Sequence, residues 1–203
     1  MREEAARQNE IVTIRLTEDV NWDAIDRTRN VPHMEVGYST IIGTRSYQQD
    51  ALFVKQYDGD VTLAVVCDGM GGLNGGEIAS NTAVKMLVED FNQVGDFSNV
   101  PQFLESEAVK LDGCVADLED EQGNALGGGC TIVCVVTKGN QMYFLSVGDS
   151  RIYVVRDSNI QAVNRDHNFR LQLDTMLREG QITQDEYRQQ EDQAEALISF
   201  LGI

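Results

Sequence analysis

Little proline, little histidine and few basic side chains mark this 203-residue chain. Its 2 prolines, and the lack of a low-complexity tract, argue against a disordered protein. Since 33 acidic residues stand against 16 Lys and Arg, the formal net charge is −17, which disfavours nucleic acid and anionic membrane surfaces as partners. No run of about 20 apolar residues occurs, so we expect no membrane-spanning segment.

Cysteine is also scarce, and its spacing argues against two kinds of site. The 4 cysteines form no C-x-x-C pair, and neither His33 nor His167 stands close to one of them in the sequence. A structural zinc site and a disulfide framework are therefore not expected. Reduced thiols are typical of intracellular proteins, so the sequence predicts a cytoplasmic protein.

The stretch V-T-L-A-V-V-C-D-G-M-G-G at 61–72 is the most informative part of the chain. A β-rich apolar run ends on Asp68 and Gly69, and a glycine-rich turn and a helix start follow. Carboxylate and backbone carbonyl oxygens are hard ligands that suit Mg²⁺ or Mn²⁺. Two other interpretations stay open, an ordinary strand–helix turn with an incidental Asp and a phosphate-binding loop. The second is weakened because no Lys-Ser or Lys-Thr pair follows the glycines.

The order of predicted elements favours an α+β fold. Strands are predicted at 35–42, 51–57, 61–67, 130–137, 141–148, 151–156 and 159–163, and helices at 75–92 and 100–120. Because short polar turns join the strands, the pairs should be antiparallel, which favours two antiparallel sheets packed face to face with the helices outside. Among the apolar residues expected to face inward from the helices are Ile78 and Val109.

The two ends of the chain differ from this central part. Residues 1–33 are polar with weak periodicity, and we expect an appendage with a short helix near 23–29 and Trp22 as an anchor. Residues 168–201 predict short helices broken at Gly180, with Thr183 as an N-cap.

Three aspartates, Asp50, Asp68 and Asp149, follow or precede apolar strands. Carboxylates at one rim of a sandwich can converge on a cation pair about 3.5–4 Å apart, which clamps a phosphoryl group and activates water. Arg45 lies five residues before Asp50 and could hold phosphate oxygens with its planar fork. A surface Arg or a salt bridge is the alternative.

Several motifs together resemble a known family. They are G-x-R-x-x-x-x-D at 43–50, V-C-D-G-M-G-G at 66–72, G-G-C-T at 128–131, V-G-D-S-R at 147–151 and R-D-H at 165–167. In this order they resemble the metal-dependent serine/threonine protein phosphatases of type 2C. Met70 in D-G-M-G-G is similar to the bacterial branch, since eukaryotic members usually have His there.

The resemblance implies a four-layer sandwich of two antiparallel β-sheets flanked by helices, and hydrolysis of phosphoserine and phosphothreonine in proteins by a metal-activated water. By position, Asp68 would bridge two Mg²⁺ or Mn²⁺ ions. Asp50 would bind one of these ions and the Gly69 carbonyl the other. Arg45 would hold the substrate phosphate, and Asp149 matches a residue linked to a third, weaker metal.

The resemblance also divides the chain. It predicts an N-terminal appendage at 1–34 and a phosphatase domain at 35–203, with a flap-like segment at 168–195. Gln49 stands where many members have Glu, so that position should contribute less here. Met70 cannot donate a proton, so protonation of the leaving group would fall to water or to no side chain.

One departure concerns the last strands of the family fold, whose D-G and D-N motifs complete the metal site. The segment at 195–203 resembles the one that precedes these strands, and neither motif follows it. We therefore expect a domain that is incomplete at its C-terminus and nearly inactive as the 203-residue chain alone. Exposed sheet edges would then favour self-association. The expected substrates are phosphoproteins, among them those of a serine/threonine kinase. The alternative is a catalytically inactive phosphatase-like binding or regulatory module.

Overall fold

A computed structural model describes residues 11–16, 34–72, 75–95 and 97–202 of the chain. In chain order the described strands and helices are β1 (Ile11–Leu16), β2 (Met34–Ser39), β3 (Asp50–Tyr57), β4 (Val61–Met70), α1 (Gly75–Gln93), α2 (Val100–Ala116), β5 (Gly129–Cys130), β6 (Ile132–Lys138), β7 (Gln141–Val147), β8 (Tyr153–Arg156), β9 (Asn159–Ala162), α3 (Phe169–Arg178) and α4 (Gln184–Gln189). In this part of the chain, no helix is both long enough and apolar enough to cross a membrane.

The centre of the fold is an antiparallel five-stranded sheet in the order β3-β4-β6-β7, with β5 pairing the end of β4. The β3–β4 hairpin turns at Asp58-Gly59-Asp60. Gly59 and Asp60 have φ angles of 75° and 60° there, in the left-handed region that favours such turn residues. The hairpin brings the far ends of β3 and β4 together, which positions the candidate site.

One face of this sheet and the helices α1 and α2 form the hydrophobic core. Alternate residues of β4, among them Leu63, Val65 and Cys67, are buried against the helices. Ala83 and Leu87 of α1 pack in the same cluster. Because successive strand residues face opposite sides, the residues between them, including Asp68, lie on the other face of the sheet.

The remaining strands form two smaller antiparallel sheets, β1–β2 and β8–β9. Antiparallel sheets combined with helices confirm the predicted α+β class. Strand β1 was not predicted, although Ile-Val-Thr-Ile at 11–14 is typical of a strand, because the charged residues around it hid the short pattern. The helix predicted near 23–29 and its anchor Trp22 lie outside the described residues.

The helix faces were predicted with two errors. Ile78 is 41% exposed and Val109 is 76% exposed, although both were expected to face inward. On α2 the buried positions include Leu104, Glu107 and Leu111, which are three and four residues apart and define one helical stripe. Val109 lies off that stripe, while a carboxylic acid occupies it.

The C-terminal helices follow the prediction closely. Helix α3 ends before Gly180, whose φ angle is 71°. Thr183 caps α4 in a full capping box with Glu186, in which the Glu186 amide donates to the Thr183 hydroxyl and the Thr183 amide donates to the Glu186 carboxylate. The predicted flap-like segment at 168–195 therefore contains both helices.

Candidate active site

Two carboxylates face each other where β3 begins and β4 nears its end. In the antiparallel register Asp50 lies directly opposite Asp68. Side chains in opposite positions share one face of a sheet, with Cβ atoms about 4.5–5.5 Å apart. The apolar strand that precedes Asp68 therefore holds its carboxylate firmly beside that of Asp50.

The surroundings raise the pKa of Asp68 to about 6. Partial burial of the carboxyl contributes most, although solvent still reaches it from the open side of the sheet. The negative charge of Asp50 and a hydrogen bond between the two carboxyls add to the increase, and the charge of Arg45 opposes it. Two carboxylates held this close repel each other, and a bound divalent cation would relieve that repulsion.

A cleft of about 840 Å³ opens beside this pair. Its lining includes Arg45 from the loop before β3, Asp68 and Gly69 from β4, Asp149 from the loop after β7, and Leu197. Four of the five predicted site residues therefore line one cleft. The fifth, Asp50, faces Asp68 across the β3–β4 ladder.

Thr131 ties Asp68 to the loop that carries Asp149. The Asp68 amide donates to the Thr131 hydroxyl at 3.1 Å, and the Thr131 amide donates to the Asp68 carbonyl at 2.9 Å. The Thr131 hydroxyl also lies 2.7 Å from the Ser150 hydroxyl, within hydrogen-bond distance. This short chain of contacts fixes the spacing between the two walls of the cleft.

His167 and Asn164 hold the same loop from its other side. The Gly148 amide donates to Nδ1 of His167 at 3.3 Å, and the His167 amide donates to the Gly148 carbonyl at 2.9 Å. The Asn164 amide donates to the Ser150 carbonyl at 2.8 Å. His167 therefore packs against the loop that carries Asp149.

The oxygen atoms that could bind a metal at this site are suited to a hard cation, but they are few. Asp50, Asp68 and the Gly69 carbonyl supply oxygen ligands of the kind that Mg²⁺ and Mn²⁺ prefer. Within the described residues, no group of three or more His, Cys, Asp or Glu side chains is placed to hold a metal ion. Asp149 lines the cleft without joining such a group. One cation, completed by water, fits this set better than two.

Several residues of the site were not singled out from the sequence. Thr131 stood inside the G-G-C-T motif, so the motif gave a signal, but its hydrogen bonds depend on where β6 lies. Leu197 reaches the cleft because its backbone forms a bridge with Asn168, which no local pattern predicts. Ser80 is fully buried beneath the site and had no sequence signal beyond its place near the start of a helix.

Comparison with known proteins places this geometry in a family context. Residues 37–177 match the family described as protein phosphatase 2C. A Streptococcus pyogenes protein named as a 2C-type phosphatase is 30% identical over 163 residues, which cover 75% of this chain and 62% of that protein. The serine/threonine phosphatase stp of Listeria welshimeri is 23% identical over 145 residues, or 70% of this chain and 56% of that protein. The chain thus spans roughly three fifths of the length of these curated relatives.

Solved structures show the same fold. The S. agalactiae serine/threonine phosphatase superposes with a TM-score of 0.65 at 22% identity, covering 97% of this chain and 70% of that one. Stp1 of Staphylococcus aureus gives a TM-score of 0.62 at 21% identity, with coverage of 97% and 66%. At this level of identity the likeness establishes the fold alone.

Proposed function

Since the chain belongs to the protein phosphatase 2C family, we propose that it removes phosphate from phosphoserine and phosphothreonine in proteins with the help of Mg²⁺ or Mn²⁺. One observation carries the proposal. The opposed carboxylates of Asp50 and Asp68 stand beside a cleft that also contains the guanidinium group of Arg45. Such a site combines oxygen ligands for a cation with a planar donor for phosphate.

The cation belongs at the Asp50–Asp68 end of the sheet. Asp68 would be the main ligand, and Asp50 and the Gly69 carbonyl would complete the protein's contribution. When bound, Mg²⁺ or Mn²⁺ supplies a Lewis acid that neutralises phosphoryl oxygens and makes water a nucleophile near neutral pH. In a complete domain two ions would be held instead, one by Asp50 and Asp68 and the other by Asp68 and the Gly69 carbonyl, and Asp149 would hold a third, weaker ion.

The chain's own residues bind and orient the substrate. Arg45 holds two phosphate oxygens and keeps the phosphorus in line with the attacking water. Thr131 and Ser150 hold the loop of Asp149 at a fixed distance from Asp68. Met70 stands at the end of β4 and has no proton to give, so the departing serine or threonine oxygen takes its proton from water.

The partners proposed for this site are phosphoproteins, among them the products of a serine/threonine kinase. None of the four cysteines, all of which lie in the described residues, forms a disulfide, and reduced thiols support action in the cytoplasm. We also propose self-association through sheet edges. Strand β7 ends the order of the five-stranded sheet, and Met142 and Phe144 on it are 40% and 41% exposed.

Replacing Asp68 tests the metal and the reaction together. Because the remaining oxygens cannot offset the dehydration of the ion, Asp68→Ala should abolish Mn²⁺ binding in calorimetry and Mn²⁺-dependent phosphate release from a phosphothreonine peptide. Release is followed over hours, since we expect slow turnover. Asp58→Ala is the matched control, because Asp58 lies in the turn at the opposite end of the same hairpin.

The same experiment separates the enzyme from the binding module. Phosphopeptide binding without phosphate release, equal in the parent and in Asp68→Ala, would support the inactive module. The names of the relatives favour the enzyme.

A further inference from the structure

Three backbone segments meet unusually closely beneath the carboxylate pair. A Cβ atom added to Gly69 would lie 2.2 Å from the Gly76 carbonyl oxygen and 2.4 Å from that of Gln49. A Cβ atom on Gly76 would lie 2.6 Å from the Met70 amide nitrogen. The end of β4, the first turn of α1 and the residue before β3 therefore pack backbone against backbone, which only glycine permits.

One carbonyl oxygen connects these segments. The Ser80 hydroxyl donates to the Gln49 carbonyl at 2.6 Å, and the Gly69 amide donates to the same oxygen at 3.1 Å. Ser80 is fully buried, and its only other acceptor among the described residues is the Glu77 carbonyl one helical turn back, at 3.1 Å. The side-chain amide of Gln49 adds a bond to the Gly71 carbonyl at 3.2 Å.

The Ser80 hydroxyl links helix α1 to Gln49, and through the Gln49 carbonyl to Gly69. These two residues are the neighbours of Asp50 and Asp68 in the chain. Helix α1 is fixed on the sheet by buried residues such as Ala79 and Ala83, which flank Ser80 on the same helix. Gln49 directly precedes Asp50, and Gly69 directly follows Asp68. A shift of the Gln49 carbonyl would therefore move both carboxylates relative to each other.

We propose that Ser80 is a positioning residue, which acts through the Gln49 carbonyl to set the separation of Asp50 and Asp68. The inference rests on the proposed function in so far as that separation serves a cation. It assigns a role to a residue that touches neither metal nor substrate. A purely structural Ser80, which only bonds its own helix through Glu77, would affect global stability and leave the site unchanged.

Ser80→Ala distinguishes these roles in the full 203-residue chain. The first readout is amide hydrogen exchange of the metal-free protein. We expect exchange at Gly69 to become about tenfold faster, because its acceptor loses its anchor, while exchange at Val65 in the middle of β4 changes little. The second readout is calorimetry, in which the Kd for Mn²⁺ should rise about tenfold.

Ser106→Ala is the matched control. Its hydroxyl donates to the Phe103 carbonyl at 2.8 Å, three residues back on α2, and lies on an exposed face. This variant removes the same kind of helix bond without a link to the site, so Gly69 exchange and Mn²⁺ affinity should stay at parental values.

The role of Ser80 can be tested even if the proposed function proves wrong. If the parent chain binds no Mn²⁺, the proposed function fails, while Gly69 exchange still decides the role of Ser80. Equal acceleration of exchange along β4, with an unchanged Kd for Mn²⁺, would overturn the proposal. Ser80→Cys keeps a weak donor at this position and should give intermediate exchange. Failure of both variants to fold would assign Ser80 a structural role and reject positioning.

Discussion

At the scale of single residues, the site contains charged side chains whose close approach destabilises the metal-free fold. Partial burial of the Asp68 carboxyl raises its pKa, and the adjacent carboxylate of Asp50 raises it further. The neighbouring Arg45 offsets part of this effect and leaves donors facing the cleft. An arrangement that repels itself without a ligand is typical of a binding site, where the ligand supplies the missing charge.

Arg45→Ala tests whether this guanidinium binds phosphate. We expect the Kd for a phosphothreonine peptide, measured by fluorescence anisotropy with Mn²⁺ present, to rise by the equivalent of roughly 1.5–3 kcal/mol, the loss of a charge-assisted contact. The Kd for Mn²⁺ should stay the same, since Arg45 is no ligand. Arg45→Lys should give a peptide Kd between those of the parent and of Arg45→Ala. Arg156→Ala, at the end of β8, serves as the control. A parental peptide Kd in Arg45→Ala would reduce Arg45 to a surface cation.

At this scale the sequence predicted those site residues that a local motif identifies. Asp68 and Gly69 follow from a strand that ends in a glycine-rich turn, and Arg45 from its spacing to Asp50. The role of Ser80 was not predictable in the same way. Its hydroxyl acts across 31 residues on a backbone carbonyl, and nothing in the neighbouring letters specifies which carbonyl that is.

At the scale of elements, the contact between α1 and α2 contains an unexpected acid. Glu107 is 5% exposed on the apolar stripe of α2, and its Oε2 atom accepts no hydrogen bond from the described residues. Burial, followed by the charge of Asp90 on α1, raises the pKa of Glu107 to about 7. Lys110, which donates to Asp90, partly opposes this. Acidic side chains are mostly solvent-facing, so the pattern of residue types alone favours Val109 as the inward residue.

Glu107 should make the stability of this helix pair depend on pH. Its pKa in the folded chain lies above its ordinary value of 4.5, so the folded state keeps a proton that the unfolded state releases. The free energy of unfolding should therefore fall as the pH rises from 4.5 to about 7, and then level off. Glu107→Gln should remove this fall and stabilise the protein at pH 8 on the order of 2 kcal/mol.

Urea unfolding at pH 5 and pH 8 measures the effect of Glu107→Gln. The matched control is Glu105→Gln on the exposed face of the same helix, which should follow the parent at both values. Equal pH dependence in Glu107→Gln and in the parent would show that Glu107 is ionised in the folded chain.

At the scale of the whole molecule, the net charge affects the same two ligands that the candidate site is proposed to bind, a cation and a phosphate group. A net charge of −17 raises the local concentration of cations and repels free phosphate, so under the proposed function substrate binding would rely on a bound cation and Arg45. The fold class and the order of elements were predictable, because turn signals and apolar runs are local. The meeting of Arg45, Asp68 and Asp149 in one cleft depends on distant strands. Their positions next to predicted strands allowed it as one interpretation, and the resemblance favoured that interpretation over the alternatives.

The number of metal ions is the prediction that belongs to the whole chain. Two divalent cations a few ångströms apart repel each other, and holding them needs more anionic oxygens than one carboxylate pair supplies. Because the described residues bring together no group of three or more ligating side chains, calorimetry should give one firmly bound Mn²⁺ per chain. Phosphopeptide turnover by the 203-residue chain should then be slow even at millimolar Mn²⁺.

A stoichiometry of two Mn²⁺ ions per chain with rapid, Asp68-dependent turnover would contradict this prediction. It would mean that another carboxylate joins the site, and Asp149→Asn would identify it by returning the stoichiometry to one, because Asp149 already lines the cleft, whereas Asp166 is held by Arg151.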